Sequence, residues 1–402
     1  MATGQPTMLL PLDPATLLHA PAVVRSARSN FSTFNPALLA MPDGASSLCF
    51  FRISNAHFCP QADGTPPRDS WRDSVRLQAH IRSFIGVAQL NAHSWLLLGQ
   101  GLVNRPLGEL FRSEGDSCAS RIDAGDGALG TFSGPEDPRP FWSPATPHAP
   151  WLLASAWSAD CRSLRMHLIK MAPPSDGGSS AGADQMASMM GGSPTQLPLI
   201  VDGWPTGPYA PPHPSAEPIQ KNWLPFVHGQ QVYAEYAVEP HVVLRVDAAT
   251  GQCEPLAGGT NIGYSSHGFV SFAPLARLVA EYGRVSGGAS PIHLPAHRVY
   301  LGLAHVKASR THSHLTGTAR MPYRHLFYAF EDAPPFAMTA AGEPFVLPEP
   351  PRPGGSTVQF AAGMALDATG RQLTISYSVL DCGARLTHMP LAEVLTSIRL
   401  LW

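Results

Sequence analysis

Five stretches of the chain share one hydrophobic signature: a turn, then about seven residues that are mostly apolar, aromatic or β-branched. They are Leu48–Ser54 after Pro42-Asp43-Gly44, Leu152–Ser158, Val232–Val238 after His228-Gly229, Val299–His305, and Leu373–Val379 after Ala368-Thr369-Gly370. A short apolar run bounded by turn residues is the pattern of a buried strand. Between the runs lie alternating segments such as Val75, Leu77, Ala79 and Ile81, whose period of two marks a half-buried strand. No long segment alternates with helical period, whereas a parallel α/β sheet needs a helix after nearly every strand. The five runs start 104, 80, 67 and 74 residues apart, a unit of about seventy residues with insertions, and a four-stranded propeller blade takes about 40 to 50. The pattern predicts an all-β chain in which antiparallel sheets repeat radially, a five-bladed β-propeller. A β-sandwich is the competing arrangement, but five similar hairpins in so long a chain suit blades better.

The propeller is expected over residues 34–390, after an N-terminal extension (1–33) and before a C-terminal segment (391–402). Residues 172–218, rich in Pro, Gly, Ser and Met and nearly free of charge, read as a long low-complexity insertion between blades. Composition agrees with a turn-rich fold. The 41 prolines and 36 glycines exceed average usage, and charged residues reach 14% against roughly 25% in ordinary domains. A hydrophobic content of 44% supplies a core and argues against global disorder. A net charge of −2 leaves no field to hold a polyanion, so nucleic acid is not an expected partner. No run approaches the roughly twenty apolar residues of a membrane span, so no membrane is expected either. Residues 1–34 carry Arg25 and Arg28 against the single acid Asp13, a composition in the direction of an organelle transit segment, although the cytoplasm is favoured. The six cysteines (Cys49, Cys59, Cys118, Cys161, Cys253, Cys382) are scattered with no CxxC, and they read as reduced thiols.

Most catalytic motifs fail. There is no phosphate-cradling GxxxxGK[ST] and no GxGxxG after a strand, and Gly263-Tyr-Ser-Ser-His-Gly268 misses the nucleophile elbow by one residue. His312-Ser313-His314 and the run His293, His297, His305 lack an acid at ligand spacing, so they read as ordinary polar histidines and no metal is expected. Glu136-Asp137-Pro138-Arg139 is sharper, because Gly134-Pro135 and Pro138 fix a tight corner beside an apolar strand. Such a corner can present a carboxylate into a cleft, where desolvation would hold Asp137 partly protonated for general-acid work and Arg139 would bind substrate oxygens. From spacing alone the same pair also pins a turn, and that is the readier explanation. Lys221-Asn222-Trp223 with Pro225-Phe226 combines a cation, an amide and an aromatic face suited to sugar hydroxyls and anions, or forms a folded corner. Asp381 follows the fifth apolar run, where an inner strand leaves towards the axis, and Arg52 at the end of the first run is its expected partner.

Taken in order, these pieces resemble the five-bladed β-propeller sugar enzymes that include furanosidases, and most closely the β-mannoside phosphorylases and related mannosyltransferases. The resemblance runs through Phe34-Asn35-Pro36, Phe51–Asn55, Gly134–Arg139, Lys221-Asn222-Trp223, Glu239-Pro240-His241, Gly287-Gly288, Leu301–His305, Tyr323-Arg324-His325, Gln359-Phe360-Ala361 and Ile375-Ser376-Tyr377 to Asp381. It implies that Asp137 is the general acid, and that Asn35, Arg52, Arg139, Lys221, Asn222, His305 and Asp381 surround the sugar and anion subsites. Furanosidases carry an Asp near the first blade as nucleophile or base, whereas this chain has Asn35. An amide cannot do that work, which favours a single acid with phosphate or a sugar hydroxyl attacking. Three positions depart from the pattern: Gln220 stands where Glu is common, Ser286 where Arg is common, and Ser378 where Gly is frequent. The expectation is thus an enzyme of β-mannoside-type glycans that transfers a mannosyl group with inversion to or from phosphate or a sugar acceptor. It needs no cofactor beyond inorganic phosphate as co-substrate. A hydrolase of the same fold, a transferase using an activated mannose, and a sugar-binding propeller that has lost catalysis all remain open.

Overall fold

The computed structural model describes residues 32–54, 80–103, 118–120, 130–145, 149–157, 163–171, 194–204, 219–256, 272–307, 323–348 and 358–399. Its strands form five sheets, antiparallel apart from two short parallel pairings, arranged as the blades of a propeller. The first blade contains Ser32–Ala40, Ser46–Ser54, His80–Asn91 and Leu97–Leu102, and the second Glu136–Trp142, Pro150–Trp157, Leu164–Lys170 and Thr195–Pro198. The third contains Leu224–His228, Gln231–Ala237, Val242–Val246 and Gln252–Pro255, and the fourth Val285–Leu294, Val299–Lys307, Tyr323–Glu331 and Met338–Ala341. Gln359–Leu366, Gln372–Val379 and Gly383–Pro390 make the fifth. The first strand of each blade is its innermost, and these five strands touch in ring order around the axis, the fifth blade's closing on the first blade's.

All five apolar runs of the sequence are second strands of blades. Such a strand has a hydrogen-bonded neighbour on each edge and a neighbouring blade over each face, so both sets of alternating side chains are buried. Leu48 and Phe50 enter the core between the first and second blades, whereas Cys49, Phe51 and Ile53 enter the core between the fifth and first. Likewise Leu152 and Ala154 face the first blade and Leu153 faces the third. Tyr300 and Val306 pack on the third blade, Leu301 and Leu303 on the fifth. Five apolar clusters therefore fill five seams.

Several boundaries differ from the sequence reading. Within the expected insertion at 172–218, Thr195–Pro198 is the outer strand of the second blade, and Ile200–Val201 pairs in parallel with Gln252 and Cys253 of the third. This stretch stitches two blades together, and its backbone pairing needs no apolar pattern to signal it. The C-terminal segment set apart at 391–402 begins with a helix, Leu391–Ser397, whose Leu391, Val394 and Leu395 belong to the core between the fourth and fifth blades. A second helix, Ala273–Tyr282, ends at Gly283 (φ 93°) just before the fourth blade. Cys49 and Cys253 are buried thiols, but Cys382 is disulfide-bonded, which corrects the all-thiol expectation. The alternation at Val75, Leu77 and Ala79 lies outside the described residues.

The seam between the fifth and first blades is closed by backbone. A Cβ on Gly363 would lie 2.2 Å from the Leu38 amide nitrogen and 2.8 Å from Ala37 Cα. Because backbone on an innermost strand cannot step aside as a side chain can, Gly363→Ala should destabilise the fold by roughly 1–3 kcal/mol. Urea unfolding should show a lower midpoint at unchanged slope, and an unaltered midpoint would mean that the innermost strands can separate freely.

Candidate functional site

The propeller's strand directions decide where polar residues meet. Each innermost strand starts beside the end of its second strand, as the pairs Phe34–Arg52, Glu136–Ser155, Leu224–Glu235, Ser286–His305 and Gln359–Val379 show. Residues at those positions from five blades thus converge on one end of the axis. Four innermost strands break register there, between Phe34 and Ala37, Glu136 and Arg139, Gly287 and Ala289, and Ala361 and Gly363. Bulges of this kind re-aim side chains. Asn35, Asp137, Asn222 and Asp381 all have left-handed backbones, with φ of 52°, 52°, 65° and 45°, a conformation that non-glycine residues hold only under constraint from their surroundings.

Asp137 is the hub. Its Oδ1 accepts a hydrogen bond from Asn35 Nδ2 at 2.7 Å and lies 3.7 Å from Arg52 Nη1. Asn35 is itself held by Ser378, whose hydroxyl donates to Asn35 Oδ1 at 2.7 Å. The Ser378 hydroxyl therefore orients the Asn35 amide that donates to Asp137. Arg52 makes a two-pronged pair with Glu136, Nη2 to Oε1 at 2.9 Å and Nη1 to Oε2 at 3.1 Å. The expected partnership of Arg52 with Asp381 is thus corrected: the adjacent Glu136 takes the fork because two parallel bonds to one carboxylate are the strong geometry, and Asp381 acts on Arg52 only through space.

Arg139 is 1% exposed and sits over the Phe360 ring, 5.2 Å from its centroid. Its Nη1 donates to the Asp137 and Pro138 carbonyls, while Nε and Nη2 have no partner among the described residues. His305 stacks on Tyr323 with centroids 5.2 Å apart and meets the Phe360 edge. Lys307, two positions on along the same strand, lies over the other aromatic contact of the group, the Tyr323 ring, at 4.8 Å. Sequence reasoning named Glu136, Tyr323 and Phe360 only as members of motifs, with no site role, and did not name Lys307. Lys307 carried a usable signal, since alternate residues of a strand share a face with each other and it follows His305 by two.

The charge states differ from the expectation for Asp137. Burial pushes its carboxyl up, but Arg52, Arg139 and Lys221 together with the Asn35 amide outweigh burial and hold it below the ordinary carboxylate value. A partly protonated Asp137 is therefore not the state of the free protein. The raised carboxyls are Glu136, through burial and the neighbouring Asp137, and Asp381, which burial and Asp137 bring to about 6. Burial lowers Arg139 to about 10, and burial with Lys221 lowers Lys307 to about 8. His305 is kept neutral by burial and by the cations around it, and burial alone brings His325 to about 3.

Every residue expected at the site is brought to this end of the propeller, but the aromatic face expected beside Lys221 is not. Trp223 is 1% exposed and packs edge-on against Tyr236, and Phe226 is buried in the next seam. Asn222 turns through φ 65° between them and Lys221, and its backbone carbonyl oxygen lies so close to the fourth blade that a Cβ on Gly287 would be 2.6 Å from it. His293 pairs with Asp332 at 3.1 Å. His312, His314 and Gly263–Gly268 lie outside the described residues. Among the described residues no group of three His, Cys, Asp or Glu gathers as a metal site.

Among solved structures, a protein of Bacteroides thetaiotaomicron assigned to the glycosidases matches with a TM-score of 0.52 and 13% identity, covering 90% of this chain and 87% of that one. The β-1,2-mannobiose phosphorylase of Listeria innocua, in complex with β-1,2-mannobiose, matches with a TM-score of 0.52 and 14% identity over 100% of both chains. The fold is that of the five-bladed propeller glycosidases. No family model matches the chain, and no curated protein matches it by sequence.

Asp381 gives a stability signature. Between about pH 4 and its native value of about 6, the folded protein keeps a proton that the unfolded chain has released, so stability falls as pH rises through this window. Asp381→Asn removes the effect. Relative to the parent, the variant should gain on the order of 2 kcal/mol between pH 4 and pH 7, measured by urea unfolding at both pH values. A difference that does not change with pH would mean that Asp381 titrates normally.

Proposed function

We propose that the protein is a carbohydrate-active enzyme that transfers a mannosyl group between a β-mannoside-type glycan and phosphate, with inversion and with Asp137 as general acid. The observation that carries this reading is the grip on Asp137: an amide, two guanidiniums and an ammonium surround one carboxylate on the propeller axis. Arg52, Arg139, Lys221 and Lys307 stand against Glu136, Asp137 and Asp381, and Asp381 is readily neutralised. Such a group favours a bound anion. Phosphate beside Arg52 and Lys221 would offset the charges that keep Asp137 ionised, raising its pKa in the complex in which a proton is needed. Asp137 then gives that proton to the leaving glycosidic oxygen while a phosphate oxygen attacks the anomeric carbon from the opposite face. Asn35 cannot serve as a second acid or base, so it holds Asp137 in place. Arg139 Nε and Nη2 and His305 Nδ1 are buried with no hydrogen-bond partner among the described residues, so they reach a ligand only with a local shift of these side chains.

One observation favours a second reading. Asp137 held ionised and Asp381 raised to about 6 are the split expected of a base and an acid, which would run inverting hydrolysis with Asp137 activating water.

The test is product formation from β-linked mannobioses with and without millimolar phosphate. Release of mannose 1-phosphate only when phosphate is present supports phosphorolysis, and equal release of free mannose under both conditions supports hydrolysis. Asp137→Asn should lose about two to four decades in rate while remaining folded at the assay temperature, with a lower unfolding midpoint because a buried carboxylate that faces Arg52, Arg139 and Lys221 is neutralised. Undiminished turnover would remove Asp137 from the chemistry. Sugar binding without turnover of any β-mannoside by the parent would make the propeller a binding module.

A further inference from the structure

A cavity of about 600 Å³ opens beside the axial carboxyls at the boundary of the third and fourth blades. Its wall carries three cations from three separate segments: Lys221 before the third blade's innermost strand, Arg284 after the helix Ala273–Tyr282, and Lys307 at the end of the fourth blade's second strand. None of the three forms an ion pair among the described residues. The wall's one carboxylate, Glu239, is engaged with the Phe272 backbone amide at 3.1 Å. Lys221 and Lys307 also act on Asp137 or Asp381, which places them between the cavity and the axis, and Arg284 acts on Lys307. Tyr236 and Tyr282 line the same cavity. Tyrosine rings offer flat apolar surface with a polar tip, and volumes of 300–1,000 Å³ suit small ligands.

Lys221 and Lys307 are offset in part by the axial carboxyls, whereas Arg284 adds repulsion to Lys307 and has no ion-pair partner among the described residues, and an anion on this wall removes that cost. The phosphate of the proposed reaction belongs beside the axial carboxyls and leaves Arg284, the outer cation, unused. We propose that this cavity is a subsite for a sugar residue that carries an anionic substituent, a phosphate ester or a uronic carboxylate, with Arg284 as its selecting residue. This deepens the proposed function, because it makes the substrate an acidic glycan, but it rests on that reading only for the identity of the sugar.

The experiment is binding, so it does not depend on turnover. Affinities of the full chain for mannose 6-phosphate, glucuronic acid, neutral mannose and inorganic phosphate are measured by titration calorimetry, with the parent and with Arg284→Gln and Arg284→Lys. At least one anionic sugar should bind ten-fold or more tightly than mannose. Arg284→Gln should remove that advantage, Arg284→Lys should retain most of it, and the affinity for inorganic phosphate should be unchanged in both. Preference for mannose 6-phosphate or for glucuronic acid identifies which anion the subsite takes. The proposal is overturned if neither acidic sugar exceeds mannose, if Arg284→Gln leaves the preference intact, or if inorganic phosphate loses affinity in step with the sugar. Because the readout is affinity, failure of phosphorolysis in the turnover assay leaves this result standing, and the reverse also holds.

Discussion

Each blade's second strand packs against two neighbouring blades, and the need to fill both seams governs the rest of the molecule. Alternate residues point into different cores, so both faces of these strands are mostly apolar, with hydrogen-bonded residues such as Ser376 the exceptions. Leu301 and Leu303 serve one seam and Tyr300 and Val306 the other, and His305 departs from the apolar series where the strand emerges at the site. The same holds for Ile53 and Arg52 in the first blade: the isoleucine enters a seam while the arginine beside it turns to the axis. Chemistry is thereby confined to the places where strands begin and end.

Charged groups gathered on the axis cannot all be hydrated, and burial of an unpaired charge is costly. The arrangement answers this with specific partners. Glu136 occupies both prongs of Arg52, Arg139 spends one nitrogen on two backbone carbonyls and lays its plane on Phe360, and Asn35 bridges Ser378 to Asp137. The left-handed turns at Asn35 and Asp137 aim these groups inward, and the register breaks beside them supply the needed departure from regular pairing. The result separates three neighbouring carboxyls into different states, with Asp137 lowered and Glu136 and Asp381 raised.

The seam between the third and fourth blades differs in kind from the others at its axial end. There the close approach permitted by Gly287 brings the two innermost strands together, and the cations Lys221, Lys307 and Arg284 surround a cavity beside them. In the same seam, Glu235 accepts a hydrogen bond from Tyr328 and lies 3.0 Å from His241, a buried polar cluster that ties the third blade to the fourth.

The fold was legible because burial on both faces leaves an unbroken apolar run, and five such runs with turns before them mark five blades. The site was legible in part. Asp137, Arg139, Lys221 and Asp381 stand out as charges at corners and strand ends, and motif order linked them. The insertion at 172–218 hid the strand Thr195–Pro198, since an edge strand is held by backbone pairing and its burial pattern is mixed. The aromatic platform read from Trp223 failed because a sequence does not say which side of a corner faces the core. Local sequence thus determined the strands, their repetition and the residue types at their ends. Only the closed ring of five blades decided that Arg52 pairs with Glu136, that Asn35 and Ser378 hold Asp137, and that Asp137 is held below the ordinary carboxylate value while Asp381 is raised to about 6. Those outcomes depend on distances between residues up to 343 positions apart along the chain, and such distances exist only once the last blade has closed against the first.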